Sequence, residues 1–226
     1  VSALITACDH IGIQYVRFDG ILGLAYAKIA VNHITPPFYE MYNQQLIDEP
    51  VFSFRLGSSD KDGGEAVFGG INHDAYTGHI HYVPVRRKAY WEVELEKVAF
   101  GDEELECENT GAAIDTGLPL QFAPHPVCLD SLIIGTSLIV LPTDIAEMLN
   151  HQIGAKKNWA GQYHVDCSKV PELPELSFFF GGKRFPLKGS DYVLDVSGTC
   201  ISSFTGMDLN IPGGNLWIIG TSLLTM

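Results

Sequence analysis

"GAAIDTGLPLQF", residues 111–122, decides how the rest of the chain is read. Ala112, Ala113 and Ile114 form a short apolar run that ends on an acid, Asp115, followed by Thr116 and Gly117. A carboxylate at the buried end of an apolar strand is costly unless it is paired or hydrogen-bonded. Thr116 offers a hydroxyl, and Gly117 allows a tight turn with free backbone N–H groups. The tripeptide can therefore hold an acid in a fixed position, although ordinary turns use the same residues. A second apolar run starts at once with Leu118, where a functional turn should be finishing.

Outward from this stretch, strand patterns dominate. "VFSFRLG" (51–57) alternates Val51, Ser53 and Arg55 with Phe52, Phe54 and Leu56, as a half-buried strand does. "GGEAVFGGI" (63–71) is a short strand between glycine pairs, and "HIHYVPV" (79–85) and "YWEVELEKVAF" (90–100) also alternate. "LSFFFGGKRFPL" (176–187) reads as two strands around a Gly-Gly turn. Helical signal is confined to "PPFYEMYNQQL" (36–46) and "LPTDIAEMLNHQIG" (141–154). In the latter, Ile145, Met148, Leu149 and Ile153 make a stripe and Gly154 suits a C-cap. The expectation is an all-β fold with two or three short helices.

Composition narrows the function. Hydrophobic residues make up 46% and charged residues 18%, a globular balance, and 23 glycines and 12 prolines supply the turns of an all-β chain. The formal charge of −13 argues against a nucleic-acid partner, whose phosphates would repel it. It fits either simple solubility or an acidic compartment, where protonation relieves self-repulsion. No run of 18 apolar residues marks a membrane span. The five cysteines (Cys8, Cys107, Cys128, Cys167 and Cys200) form no Cys-x-x-Cys pair and no zinc spacing, so no metal is expected. No Gly-x-Ser-x-Gly occurs, which disfavours a serine hydrolase. His73, His79 and His81 read as a solvated strand face, Arg86-Arg87-Lys88 as a solvated turn, and Glu103, Glu104, Glu106 and Glu108 as a charged loop.

One pattern recurs. "FDGILGL" (18–24) and "NLWIIGT" (215–221) share two apolar residues before glycine: Ile21-Leu22-Gly23 and Ile218-Ile219-Gly220. Alone, the two could be unrelated buried strands. Together with "RFDGILGLAY" (17–26), "PPFYEMYNQQLID" (36–48), "GGEAVFGGIN" (64–72), "YVPVRRKAYWEVELEKVAFGDEE" (82–104), "GAAIDTG" (111–117), "TSLIVLPTDIAEMLN" (136–150), "GQYHVDCSKV" (161–170) and "NLWIIG" (215–220), they make the chain resemble the pepsin-like aspartic proteases, most closely the fungal vacuolar type.

That resemblance implies a bilobal, β-rich acid-protease fold with a long cleft. Residues 1–85 would be a remnant of the N-terminal lobe and 86–226 the C-terminal lobe, with most of the N-terminal lobe and the last C-terminal strands missing. It implies that Asp115 is the second of two catalytic aspartates, with Thr116 and Gly117 in its loop. Ile218, Ile219 and Gly220 would brace that loop, as Ile21, Leu22 and Gly23 would brace the first. Thr136 and Ser137 would line the substrate cleft, and Cys167 and Cys200 would form a disulfide. In this family the two carboxylates share one proton, because like charges about 3 Å apart cannot both ionise. One activates water as general base while the other protonates the peptide, with no cofactor, metal or covalent intermediate. The partners implied are peptide or protein substrates and proteinaceous inhibitors, the family being monomeric. The implied location is the vacuole or the secretory pathway.

The chain departs from the family pattern in three places. Only one Asp-Thr-Gly occurs. Residues 118–135, "LPLQFAPHPVCLDSLIIG", are foreign to the family, and removing them would join Gly117 to Thr136 as "AAIDTGTSLIVLP". The segment is in frame and apolar, as a translated intron could be, and an insertion between catalytic-loop residues would disturb positioning. The final "TSLLTM" (221–226) also departs from the pattern. The expectation is an aspartic endopeptidase by family, inactive as this chain stands. The alternative is a non-catalytic, peptide-binding pseudo-protease of the same fold.

Overall fold

The computed structural model describes residues 22–57, 62–116, 138–159, 161–196, 198–211 and 214–220. Among the described residues most elements are β-strands and the helices are short, as the all-β reading of the sequence requires. No helix among the described residues is long and apolar enough to cross a membrane. Among the described residues, contacts divide the chain into two compact units, one within 22–81 with 88–91 and the other within 82–87, 92–116 and 138–220.

In the first unit, α1 (Pro37–Asn43) starts on a proline, whose missing N–H costs nothing in the first turn. β1 (Phe52–Arg55) pairs antiparallel with β2 (Glu65–Phe68), Phe52 opposite Phe68. Phe52 packs on Phe38, Phe54, Phe68 and Trp91 at centroid distances of 5.1–6.5 Å. Trp91 also stacks on Tyr26, and its indole N–H donates to the Leu24 carbonyl at 2.9 Å. Phe54 remains 38% exposed, so the alternation read in 51–57 is only partly expressed as burial.

The remaining strands are β3 (Val85–Lys88), β4 (Trp91–Glu94), β5 (Lys97–Phe100), β6 (Glu103–Glu106), β7 (Thr110–Ile114), β8 (Ile139–Leu141), β9 (Lys156–Lys157), β10 (Tyr163–Val165), β11 (Leu176–Phe180), β12 (Lys183–Leu187), β13 (Val193–Val196), β14 (Thr199–Ser202), β15 (Phe204–Gly206), β16 (Asn210–Ile211) and β17 (Gly214–Ile219). α2 (Thr143–Gln152) and α3 (Gly189–Tyr192) lie among them. A seven-stranded sheet runs β15-β8-β17-β7-β4-β3 with β16 on β17, and four-stranded sheets run β12-β11-β5-β6 and β13-β14-β10-β9. One face of the large sheet contributes Ala112, Ile139, Leu141, Phe204, Trp217 and Ile219 to a core that also holds Leu95, Val98, Leu176, Phe178 and Tyr192. At about 25 cal/mol per Å² of apolar surface removed from water, each large side chain there contributes roughly 1.5–3 kcal/mol.

The structure amends several expectations. Residues 79–84 form no strand; pairing begins at Val85, after Pro84, which has no N–H to give a ladder. Arg86, Arg87 and Lys88 consequently lie in β3, not in a solvated turn. Residues 90–100 are two strands in two sheets. The chain switches between them where Leu95 N–H donates to Thr110 O and Glu96 N–H to Phe179 O. Glu103, Glu104 and Glu106 form an edge strand, not a loop. Cys107, in a stretch that reads as surface, is a free thiol but buried. The Gly-Gly turn is as expected: Gly181 and Gly182 take φ of 56° and 72°, which residues with a Cβ resist.

Candidate active site

Asp115 follows directly on β7, a strand of small residues that runs between β4 and β17. β17 is the organising element. It pairs parallel with β7, Ile218 opposite Ala113 and Ile219 opposite Ile114. Its other edge pairs antiparallel with β8, Ile218 opposite Val140 and Ile219 opposite Ile139. Beyond the ladder, Asp115 N–H donates to the Ile219 carbonyl at 3.0 Å, and Gly220 N–H donates to the Leu138 carbonyl at 3.2 Å. One strand thus ties down the chain both where it enters the Asp115 loop and where it returns at 138.

Asp115 itself is half-buried, Thr116 is exposed, and Ile218, Ile219 and Gly220 are buried. Gly117, Thr136 and Ser137 lie outside the described residues, as do the segment 118–135, Cys8 and Cys128. In the other copy of the repeat, Ile21 is also outside the described residues. Leu22 and Gly23 lie in no strand, with Leu22 46% exposed. Cys167 and Cys200 are joined, Cα–Cα 5.4 Å.

Beside β7 the structure adds a feature not apparent from the sequence. Glu92, on β4 opposite Ala113, is 1% exposed. Arg87 Nε donates to its two oxygens at 2.9 and 2.7 Å, and Arg87 NH2 to Oε1 at 2.6 Å. The hydrogen bond to Glu92 raises the Arg87 pKa further above its ordinary value, against a smaller opposing effect of burial. Arg86 bonds Glu94 Oε2 through Nε at 2.8 Å and Asn109 Oδ1 through NH2. Its buried NH1 makes no hydrogen bond and stays 3.7 Å from Glu92 Oε1. The carboxylate fits because position 111 is glycine: a Cβ there would come 2.1 Å from Glu92 Oε1. The sequence signal was a glycine at the head of "GAAI" and an acid within the apolar "YWEV", each unremarkable by itself.

The described residues contain no group of three or more metal-ligating side chains. A depression of about 360 Å³ between the 3-10 turn Cys167–Glu172 and α3 is lined by Val170, Leu173, Glu175 and Lys188, and none of its lining residues belongs to the Asp115 loop.

A profile of the family described as "Eukaryotic aspartyl protease" matches residues 3–226. The chain belongs to that family. It is 49% identical over 219 residues to "Vacuolar protease A" of Neurospora crassa, covering 97% of this chain and 50% of that protein. It is 49% identical over 222 residues to "Vacuolar aspartic protease" of Candida albicans, covering 97% and 49%. Mammalian similarity extends to "Pepsin A" of Suncus murinus, 36% identical over 209 residues, covering 92% and 49%. The chain spans about half the length of the curated relatives it matches.

Proposed function

We propose that this chain carries the second-aspartate half of an aspartic endopeptidase that hydrolyses peptide bonds at acidic pH. Asp115 is the acid concerned, in a loop shared with Thr116 and Gly117, with Thr136 and Ser137 at the substrate cleft. Residues 1–85 belong to a first lobe and 86–226 to a second. The observation that carries the reading is the paired anchoring of that loop: Asp115 N–H on Ile219 O, and Gly220 N–H on Leu138 O. Such an arrangement fixes the backbone on which the carboxylate of Asp115 is carried, as a general acid or base needs.

Its partner is a second carboxylate, with which Asp115 shares a proton. Water held between the two is deprotonated by one and attacks the peptide carbonyl, while the other protonates the substrate. One Asp-Thr-Gly occurs in these 226 residues and a proton-sharing pair needs two carboxylates, so we infer that these residues by themselves do not hydrolyse peptides. Substrates are peptides or proteins, proteinaceous inhibitors would occupy the same cleft, and the working form is a monomer. The vacuolar names of the fungal relatives support a vacuolar location.

The test has two arms. Purified chain incubated with denatured protein at pH 3–5 should give no cleavage sensitive to a statine-type inhibitor; such cleavage would overturn the inactivity. A version lacking 118–135 and joined to a first lobe bearing its own Asp-Thr-Gly should cleave, and Asp115→Asn should lower its kcat by at least about 1,000-fold, the scale on which paired catalytic groups act. Undiminished cleavage by the Asp115→Asn form would sink the assignment.

A further inference from the structure

We propose that Glu92 is a positioning residue for Asp115: with Gly111 as its counterpart, it sets the register of β7. The inference rests on the reading of Asp115 as the working acid. The difficulty it answers lies in β7 itself. Thr110-Gly111-Ala112-Ala113-Ile114 is a strand of mostly small residues between two neighbours. β7 is buried from Thr110 to Ala113, which disfavours a one-residue slip, but a two-residue slip keeps every side chain on its own face and burial alone does not exclude it. A slip of one residue would turn Asp115 to the opposite face of the sheet, and a slip of two would carry it about 7 Å along the strand. Displacements far smaller, about 1 Å, already cost on the order of 100-fold in rate.

Glu92 supplies the missing discrimination. Its side chain shares a face with Gly111, Ala113 and Asp115, because Glu92 lies opposite Ala113 and side chains alternate. Arg87 holds both of its oxygens. Only a residue without a Cβ fits against the carboxylate, and Gly111 is the single glycine in β7. Any other register sets a methyl or larger group against Oε1. A buried ion pair seldom stabilises a protein more than an apolar replacement of equal size, and its best-attested use is to specify register. Glu92 touches no substrate in this account; it acts through β7.

The experiment is amide NMR on the labelled 226-residue chain, with no substrate present, so that its outcome is independent of whether the chain belongs to a protease. Glu92→Leu takes from Arg87 its buried acid and should lower Tm by roughly 6–20 °C while the chain still folds. It should accelerate hydrogen exchange at the Asp115 amide at least tenfold and double the resonances of residues 110–116. A single resonance set with parental exchange at Asp115 overturns the proposal. So does a parallel loss of protection in β7 and in β12, an edge strand of another sheet, which would mark a merely structural residue. Should Glu92→Leu not fold, Glu92→Ala, which removes the side-chain atoms that exclude a Cβ at position 111, is read by the same criteria.

Discussion

Cys107 shows how far a single side chain can depart from what its neighbours in sequence suggest. It lies among acids, yet its thiol is buried, hydrogen-bonds the Leu105 carbonyl at 3.6 Å, and has its pKa pushed up to about 11, mainly by burial and then by Glu106. A thiol is reactive as thiolate. Iodoacetamide at pH 8 should therefore leave Cys107 unmodified in the folded chain and alkylate it on unfolding, as peptide mass mapping would report. The linkage follows the same shift. An acid with a raised folded-state pKa stabilises the fold fully below its unfolded value, near 9, and that contribution is lost as pH rises through about 11. Tyr192, fully buried and bonded to the Pro174 carbonyl at 2.6 Å, is raised in the same direction by burial. Denaturant midpoints measured from pH 8 to 11 should fall, and Cys107→Ala should flatten part of that fall.

Among the elements, β7 is the one with least room for change. Gly111→Ala would drive a methyl onto the Glu92 carboxylate, and overpacking of this kind costs about 1–3 kcal/mol. The denaturant midpoint should drop accordingly, with an unchanged m-value. The Cys167–Cys200 bridge closes a separation of 33 residues, and the chain-entropy relation assigns it about 3–4 kcal/mol. Cys167→Ser with Cys200→Ser should lower Tm by roughly 10 °C, since each kcal/mol moves a domain of this size by about 2–4 °C.

How much of this was legible beforehand varies with the physics of each element. β1, β2, β11, β12, α1 and α2 were readable because periodicity, prolines and glycines act locally. The break at Leu95-Glu96 was not, because the alternation runs through it unbroken. What separates the strands is a change of partner, from Thr110 to Phe179, and both partners are remote in sequence. The acids of β6 read as loop because an edge strand tolerates charge on both faces. At the site, Asp115 and the Ile-Ile-Gly strand stood out as a motif. Glu92 did not, since nothing in "YWEV" says that its acid is buried against Gly111.

At the scale of the whole molecule, one sheet has both of its edges guarded by charge. In the sheet β12-β11-β5-β6, one edge carries Glu103, Glu104 and Glu106, and the other carries Lys183, Arg184 and Pro186. Both discourage another chain from adding a strand. The central sheet is less protected against loss of its own members. Removing residues 214–226 would strip β7 and β8 of their common neighbour and open Ala112, Ile139 and Leu141 to water. A chain ending at 213 should lose its cooperative thermal transition by circular dichroism.

The place of β17 also has a temporal consequence. Thr110 waits for Asn215, and Ile139 for Ile219, so the middle of this sheet cannot close on the ribosome until roughly a hundred further residues have been translated. During that interval, at about 5–20 residues per second, β7 is an unzipped edge with apolar neighbours. A nascent chain in this condition is a natural client for chaperones that shield bare strands, and slowing translation beyond residue 141 would lengthen its exposure.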